Sequence, residues 1–199
     1  MPFWNFSGPQ SWHNCPALLT VGVLFLPVIR SNSSTEVFQN YAPILSTFCK
    51  TVLTRLEDAN PSLQRPFHDS AFGTLSFNFG PDVCTFPHRD YRNLGWGWCA
   101  VTSFGGYDHV KGGHLILWDF KIAVEFPPHS TIFIPSAILE HRNTAIQPGE
   151  KRSTLTQYNS AGIFRWVAYG FMPKWVAEEC RVRPEPWWAD PKHMFNKIY

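Results

Sequence analysis

The chain has 199 residues, which is enough for one sizeable domain with its own core and too short for two comfortable ones. Aromatic residues make up 16% of the chain and the formal net charge is only +2, a composition that excludes a disordered chain. The positive excess lies near the end, where residues 151 to 199 hold eight Lys/Arg against four Asp/Glu, a balance of +4. Such a balance fits an anionic partner and an ordinary solvated surface equally well.

The cysteines favour a reducing compartment, because an odd number without a close pair predicts neither a disulfide framework nor a zinc cluster. They are Cys15, Cys49, Cys84, Cys99 and Cys180. The apolar run from Pro16 to Ile29 follows no Lys or Arg and is too short to span a bilayer. We interpret this run as a buried strand or a support segment.

Apolar residues recur at three- and four-residue steps between Thr35 and Ala59, which predicts an amphipathic helix that supports a sheet. A hydroxyl residue of the run 33–35 can cap its start, and Asn60-Pro61 ends it. Pro43 lies inside the pattern, so it must either kink the helix or mark its true beginning.

After Gly73 the pattern changes to short apolar runs separated by turn residues. The candidate strands are 74–79, 83–88, 96–104, 114–119, 122–126, 130–134, 138–143, 152–158 and 163–167. Many short strands without helices between them predict an antiparallel sandwich or barrel. We expect a mainly β chain with flanking helices (α+β), namely a double-stranded β-helix, or jelly roll, on a helical support. One structural domain would then comprise a support segment (1–72), a β core that carries the chemistry (73–171) and an irregular aromatic extension (172–199).

The tripeptide His88-Arg89-Asp90 is the leading candidate for a functional site. If it is extended, His88 and Asp90 project from the same face, because strand side chains alternate. With one later His, two imidazoles and one carboxylate would occupy one face of an octahedral metal. That arrangement is typical of non-haem Fe(II) oxygenases and leaves room for a chelating cosubstrate and O2. The alternative for His88 and Asp90 is a surface turn after Pro87.

Of the eight histidines, His141 is the best candidate for the third ligand, since it follows a strand-turn-strand unit at 131–136. His129 lies in a Pro-rich turn, and His109 lies in a loop rich in Gly and Asp. On the next strand, Arg152 can bind the far carboxylate of a cosubstrate through two parallel hydrogen bonds. The alternative for Arg152 is a salt bridge at the surface.

The run Phe86-Pro87-His88-Arg89-Asp90-Tyr91-Arg92-Asn93 resembles the His-Arg-Asp-x-x-Asn signature of the TET/JBP family of nucleic-acid-modifying Fe(II)/2-oxoglutarate dioxygenases. The segments Gly112-Gly113-His114-Leu115-Ile116-Leu117-Trp118-Asp119 and Glu125-Phe126-Pro127-Pro128 are similar to its basidiomycete members, many of them associated with transposons. The resemblance covers roughly residues 73 to 171. It implies that His88, Asp90 and His141 bind Fe(II), with 2-oxoglutarate and O2 as cosubstrates.

The resemblance also implies roles for residues around the metal. Arg152, with Thr154 two positions later on the same strand face, would hold the distal carboxylate of 2-oxoglutarate. His114 would contact 2-oxoglutarate near its metal-chelating end, although a His at the start of an ordinary strand is the alternative. Asn93 would contact the base to be oxidised and Tyr158 would pack on its ring. The alternatives are that Asn93 is a turn residue and that Tyr158 is a core residue.

The function implied is oxidation of a methylated nucleobase, such as 5-methylcytosine in DNA or RNA, inside the cell and in the nucleus. Because a base inside a duplex cannot reach a buried metal, it would have to be flipped out of the stack. Two alternatives stay open, since fold does not decide function. One is a 2-oxoglutarate-dependent hydroxylase of a peptide or small molecule, and the other is a catalytically silent module that binds nucleic acid or protein. No membrane and no obligate protein partner is expected.

Overall fold

The computed structural model describes residues 23–24, 33–63, 65, 67, 69–190, 192 and 194. The helices are α1 (Ser33–Tyr41), α2 (Pro43–Ala59), α3 (Ala161–Ala168), α4 (Lys174–Glu179) and α5 (Pro186–Ala189). The strands are β1 (Val23–Leu24), β2 (Thr74–Asn78), β3 (Cys99–Gly106), β4 (Leu115–Leu117), β5 (Ile122–Val124), β6 (Thr131–Ile134), β7 (His141–Asn143) and β8 (Lys151–Tyr158). Within the described ranges, no helix is both long and apolar enough to cross a bilayer.

The predicted apolar strand at the start of the chain is described only at Val23–Leu24, which pairs with β6 as β1. The rest of the run from Pro16 to Ile29, together with Cys15, lies outside the described residues. The other four cysteines are free thiols; those of Cys49 and Cys99 are buried. Burial is the largest cause that raises the pKa of both of these thiols.

The helix predicted between Thr35 and Ala59 is divided into α1 and α2. Pro43 occupies the first turn of α2, where its fixed φ suits a helix and its missing N–H costs no hydrogen bond. Pro43 therefore marks a beginning rather than a kink. Leu45, Cys49 and Val52 are buried at helical spacing and turn one face of α2 toward the core.

Two antiparallel sheets form the β part of the molecule. The larger has the order β1-β6-β3-β8-β2, and the smaller has the order β5-β4-β7. The longest strand pairing in the larger sheet joins β3 and β8, from Ala100 opposite Gln157 to Gly106 opposite Lys151. From β3 to β8 the chain passes back and forth between the sheets. The structure thus confirms an antiparallel β chain with flanking helices.

The molecule has two apolar clusters, one on each side of the larger sheet's β6. One cluster joins β4, β5 and β6, and its buried members are Leu115, Leu117, Val124, Phe126, Ile132 and Ile134. The other joins the helices to the sheet through aromatic rings such as Phe38, whose centroid lies 5.1 Å from that of Phe72 and 5.6 Å from that of Trp98. Each fully buried side chain of this size contributes about 1.5–3 kcal/mol to folding.

The predicted strand 163–167 is wrong, because these residues lie in α3. Phe164, Val167 and Ala168 are the buried residues of α3, and their spacing of three and four is that of a helix face. A short apolar run has no decisive period of its own, so packing against α2 and the aromatic cluster determines its conformation.

The predicted strand 83–88 is also wrong, since the structure has a loop there with a single bridge at His88. The side chain of Asn143 replaces the missing ladder. Its Nδ2 donates to the carbonyl of Val83 at 2.6 Å, and its Oδ1 accepts from the backbone N–H of Thr85 at 3.1 Å. Pro81 shortly precedes the segment and Pro87 lies inside it, and both lack the N–H that a regular strand would donate.

The segment 172–199 was expected to be irregular, but it contains the short helices α4 and α5. Trp187 packs on Phe48 with ring centroids 5.2 Å apart, and Trp188 lies 5.8 Å from Trp96. Trp175, by contrast, is 68% exposed. The aromatic residues of α5 therefore pack on α2 and on the loop before β3, while that of α4 faces outward.

Candidate metal centre

His88, Asp90 and His141 lie together, with one potential ligand atom of each within 4.8 Å of the others. The His88 Nε2 and the Asp90 Oδ1 are 3.7 Å apart, and the two imidazole centroids are 4.4 Å apart. Asp90 and His88 are partly exposed, whereas His141 is buried. The three residues named from the sequence therefore form one group that is open to solvent on one side.

The backbone brings this group together without the strand expected at residues 88–90. His88 and His141 exchange two backbone hydrogen bonds, of 3.0 and 2.9 Å, which fixes their rings side by side. The backbone N–H of Asp90 donates to the carbonyl of Ser136 at 2.9 Å. Backbone hydrogen bonds to β7 and to the loop before β7 thus bring the three side chains together, which strand alternation was expected to do.

Both imidazoles have their Nδ1 atoms tied to backbone carbonyls. His88 Nδ1 lies 2.8 Å from the oxygen of Phe86, and His141 Nδ1 lies 2.8 Å from the oxygen of Leu139. A carbonyl only accepts, so each Nδ1 carries the hydrogen and each Nε2 keeps its lone pair for a metal. Burial lowers the pKa of His141, although the Leu139 carbonyl acts in the opposite direction. A neutral ring is the form that binds metal.

The Asp90 carboxylate is held at its second oxygen. The Nδ2 of Asn93 donates to Asp90 Oδ2 at 3.2 Å and to Ser136 Oγ at 3.1 Å. Both N–H bonds of this amide are therefore engaged, which leaves its carbonyl oxygen as the group that Asn93 can offer to a substrate. Asp90 Oδ1 stays turned toward His88.

Arg89, the middle residue of the motif, ties three loops together beside the site. Its Nη2 lies 2.9 Å from Asp119 Oδ1 and 3.4 Å from Glu140 Oε2, and its Nε donates to the carbonyl of Ile138 at 3.0 Å. A hydrogen bond from the backbone N–H of Glu140 lowers the pKa of Asp119, and the hydrogen bond from Arg89 lowers this pKa further. The sequence carries no signal for this role, because the partners lie far away along the chain.

Arg152 is buried, with only 2% of its surface exposed, so it is not the surface salt-bridge residue of the alternative. Its guanidinium lies between two rings, 5.9 Å from the centroid of Tyr107 and 5.6 Å from that of Phe126. Its Nη1 donates to the carbonyl of Val83 at 3.1 Å, while its Nε is buried without a partner. Among the described residues, no carboxylate pairs with it. Within the described part of the chain, the partners of this buried cation are therefore one backbone carbonyl and two aromatic rings.

The carbonyl of Val83 connects this cation with the metal group. It accepts from Arg152 Nη1 at 3.1 Å and from Asn143 Nδ2 at 2.6 Å. Asn143 lies two residues after His141 on β7, so their side chains share a strand face. The Arg152 guanidinium is therefore linked through Val83 to Asn143, which lies on the same strand as His141.

The other residues predicted around the metal are Thr154, His114 and Tyr158, and each has a described hydrogen-bond partner. Thr154 is buried on β8 and its Oγ1 accepts from Asn78 Nδ2 at 3.0 Å, which leaves its own hydrogen to donate. His114 is buried just before β4, and its backbone N–H donates to Thr144 Oγ1 at 2.9 Å. Tyr158 is at the opposite end of β8 from Arg152, with its hydroxyl 3.4 Å from Ser76 Oγ.

Sequence reasoning missed Tyr107, whose ring covers the Arg152 guanidinium. Its hydroxyl donates to the carbonyl of Phe126 and lies 2.7 Å from Ser103 Oγ. The available signal was Gly112-Gly113, because a Cβ on Gly113 would lie 2.6 Å from the Tyr107 ring. Two adjacent glycines indicate a close approach but do not say which residue approaches.

Comparison with known proteins gives partial likenesses. No protein-family model and no curated protein matches this chain. The structure of NgTET1 in complex with 5mC DNA is 17% identical over 67% of this chain and 55% of that chain, with a TM-score of 0.42. The viral collagen prolyl hydroxylase of Paramecium Bursaria Chlorella virus-1, solved as a 2OG complex, is 12% identical over 68% of this chain and 94% of that one, with a TM-score of 0.35. At these values neither likeness carries a conclusion about the fold or activity of this chain, which therefore rests on its own residues.

Proposed function

We propose that the protein is an Fe(II)/2-oxoglutarate-dependent dioxygenase. The observation that carries this proposal is the convergence of two imidazoles and one carboxylate, His88, His141 and Asp90, on one point. This donor set suits Fe(II) and leaves coordination positions free for a chelating cosubstrate and O2. The tie of each Nδ1 to a carbonyl supports the assignment, because it orients the Nε2 atoms as ligands.

The buried Arg152 supports 2-oxoglutarate as the cosubstrate. An uncompensated guanidinium costs free energy in the interior, and a bidentate carboxylate is the anion that its planar fork fits best. The hydroxyl of Thr154 can donate to the same carboxylate, since Asn78 occupies its acceptor side. We assign His114 to the chelating end of the cosubstrate.

Fe(II) held by His88, Asp90 and His141 would supply the oxidation: one atom of O2 would enter succinate as 2-oxoglutarate loses CO2, and the second atom would be inserted into a C–H bond of the substrate. The protein contributes binding, orientation and exclusion of water. Asp90 supplies the negative charge, and the two imidazoles bind as neutral ligands. Tyr107 and Phe126 shield the Arg152 guanidinium and keep its attraction for a carboxylate strong.

We infer that the two sheets are the halves of a double-stranded β-helix. His88 forms an antiparallel bridge with His141 of β7, and we count this bridge as a short fourth strand of the smaller sheet. The smaller sheet then has four strands, in the order bridge-β7-β4-β5. It faces the four strands β6-β3-β8-β2 of the larger sheet across the apolar cluster. Eight strands in two sheets, with the chain passing repeatedly between them, are typical of a jelly roll. The short strand β1 then extends the larger sheet.

For the substrate we propose a methylated base, such as 5-methylcytosine, in DNA or RNA. Phe86 and Tyr91 flank the metal ligands and are 90% and 76% exposed, so their rings are available for stacking on bases. The carbonyl oxygen of Asn93 can accept from the exocyclic amine of a cytosine, and Tyr158 would pack on the base ring. A nuclear location and the basidiomycete branch of the TET/JBP resemblance belong to this same proposal.

Succinate release tests the function when Fe(II)-loaded protein receives 2-oxoglutarate with methylated DNA, methylated RNA, their unmethylated counterparts or peptides. We expect that only a methylated oligonucleotide stimulates succinate release. The Asp90→Ala variant, which lacks the charged ligand, should release no succinate with any substrate. Stimulation by a peptide would favour the alternative hydroxylase. Absence of succinate with every substrate would favour the silent binding module.

A further inference from the structure

We infer that Asn93 is a positioning residue that fixes the Asp90 carboxylate for metal binding, an inference that rests on the proposed metal centre. Its Nδ2 makes the two hydrogen bonds, to Asp90 Oδ2 at 3.2 Å and to Ser136 Oγ at 3.1 Å. The amide nitrogen has two hydrogens, and these contacts use both. Asn93 therefore acts on the metal through Asp90, whatever its oxygen contacts.

Asn93 is itself held in place by the backbone. Its N–H donates to the carbonyl of Asp90 at 2.8 Å, and the residue forms an isolated bridge with Ser160, just beyond β8. The next residue, Leu94, donates its N–H to the carbonyl of Asn159 at 2.8 Å and is buried. The donor that reaches Asp90 thus stands on a turn anchored to the larger sheet.

Ser136 completes the arrangement from the other side. It is 2% exposed, its carbonyl accepts the Asp90 N–H at 2.9 Å, and its hydroxyl accepts from Asn93. Asp90 is consequently held at its backbone nitrogen and at Oδ2. A carboxylate capped at one oxygen presents the other as a single ligand atom, and here Oδ1 is the oxygen that faces His88. Orientation of this kind raises the affinity of a metal site.

The inference separates two roles that a substrate assay cannot distinguish. A residue that only contacts substrate leaves metal affinity unchanged when it is removed. A residue that orients Asp90 lowers metal affinity even when substrate and 2-oxoglutarate are absent. Binding of Co(II) alone therefore tests the inference, with the d–d absorption of the bound ion as the signal and competition with a chelator as the measure of affinity.

We expect Asn93→Ala to weaken Co(II) binding by about tenfold to a hundredfold, the usual effect of losing an outer-shell partner, and to change the d–d spectrum. Ser136→Ala removes only the hydroxyl that orients Asn93, so it should weaken binding in the same direction but less. Arg92→Lys is the matched control, because Arg92 belongs to the same turn, is exposed, and keeps its charge when replaced by lysine. It should bind Co(II) as the wild type does.

Equal affinity in the wild type and Asn93→Ala would overturn the inference while leaving the metal centre intact. Equal weakening by Asn93→Ala and Arg92→Lys would also overturn it, because the effect would then belong to the turn as a whole. Should Asn93→Ala fail to fold, as judged by its thermal unfolding without metal, Ser136→Ala decides the question by the same measure. A wild type that binds no Co(II) would remove the proposed metal centre and the inference with it.

Discussion

Arg152 is the residue whose surroundings are least explained without a ligand. Its guanidinium is buried between two aromatic rings, and a backbone carbonyl is its one described hydrogen-bond acceptor. Burying a cation without an anion is unfavourable, and such a group is kept where binding requires it. Loss of this planar donor should therefore affect cosubstrate binding more than folding.

We predict that Arg152→Lys raises the apparent Michaelis constant for 2-oxoglutarate by about tenfold to a hundredfold. A lysine is a point charge that cannot make two parallel bonds, and a hydrogen bond to a charged group contributes roughly 1.5–3 kcal/mol. Steady-state succinate release at varied 2-oxoglutarate measures the effect. Lys151→Ala is the control, since Lys151 is exposed on the neighbouring position of β8. An unchanged constant in Arg152→Lys would mean that another residue binds the distal carboxylate.

At this scale, the sequence was sufficient to name the metal group but not its support. His88, Asp90 and His141 could be named because imidazoles and carboxylates are chemically diagnostic and few positions compete. Val83 acts through its backbone carbonyl, and Ser136 holds the Asp90 N–H in the same way, although any residue type provides such a carbonyl. The engagement of the Asn93 amide with Asp90 likewise depends on a turn geometry that residue types do not specify.

Among the elements, the turn before β4 brings the glycine pair Gly112-Gly113 close to Tyr107, the ring that covers Arg152. Gly113 has a φ of +71°, and a Cβ there would lie 2.6 Å from Cε2 of Tyr107. Tyr107 in turn covers the guanidinium of Arg152. A side chain at position 113 would therefore displace the Tyr107 ring and, through it, disturb the proposed 2-oxoglutarate site at Arg152.

We predict that Gly113→Ala lowers the free energy of unfolding and also raises the Michaelis constant for 2-oxoglutarate. Gly149 provides a matched control, because its φ is +86° and nothing lies within 4 Å of its added Cβ. Both substitutions incur the left-handed cost of about 1–2 kcal/mol, but only Gly113→Ala displaces Tyr107. Urea unfolding and steady-state kinetics separate the two effects. The same Michaelis constant in both variants would argue against the connection.

The elements were predictable where a clear period or a strong breaker marks them. Strands β2 and β8 lie close to their predicted ranges, and Pro43 was recognised as a possible helix start. The segment 163–167 was assigned wrongly because five apolar or mixed residues fit either period, and contact with α2 selects the helix. The segment 83–88 was assigned wrongly because the side chain of Asn143, 58 positions after Thr85, takes the place of a partner strand.

For the molecule as a whole, the class of fold followed from composition and pattern, while the order of strands did not. The many short runs after Gly73 predicted antiparallel sheets, which the structure has. Strand order depends on which apolar faces meet, and here Leu117 of β4 and Ile132 of β6 meet across the two sheets. His88, Asp90 and His141 come together only after that closure, because they derive from two separate segments of the chain.

We propose that these segments assemble one site for Fe(II) and 2-oxoglutarate. A 2-oxo acid that chelates Fe(II) absorbs visible light by charge transfer, so an anaerobic absorption titration reports both ligands together. We expect a visible absorption band when the wild type receives Fe(II) and 2-oxoglutarate. The Arg152→Lys variant should need a higher concentration of 2-oxoglutarate to give the same band, and the Asp90→Ala variant should give no band. A wild type without the band, or an Asp90→Ala variant with a band of equal intensity, would contradict this proposal.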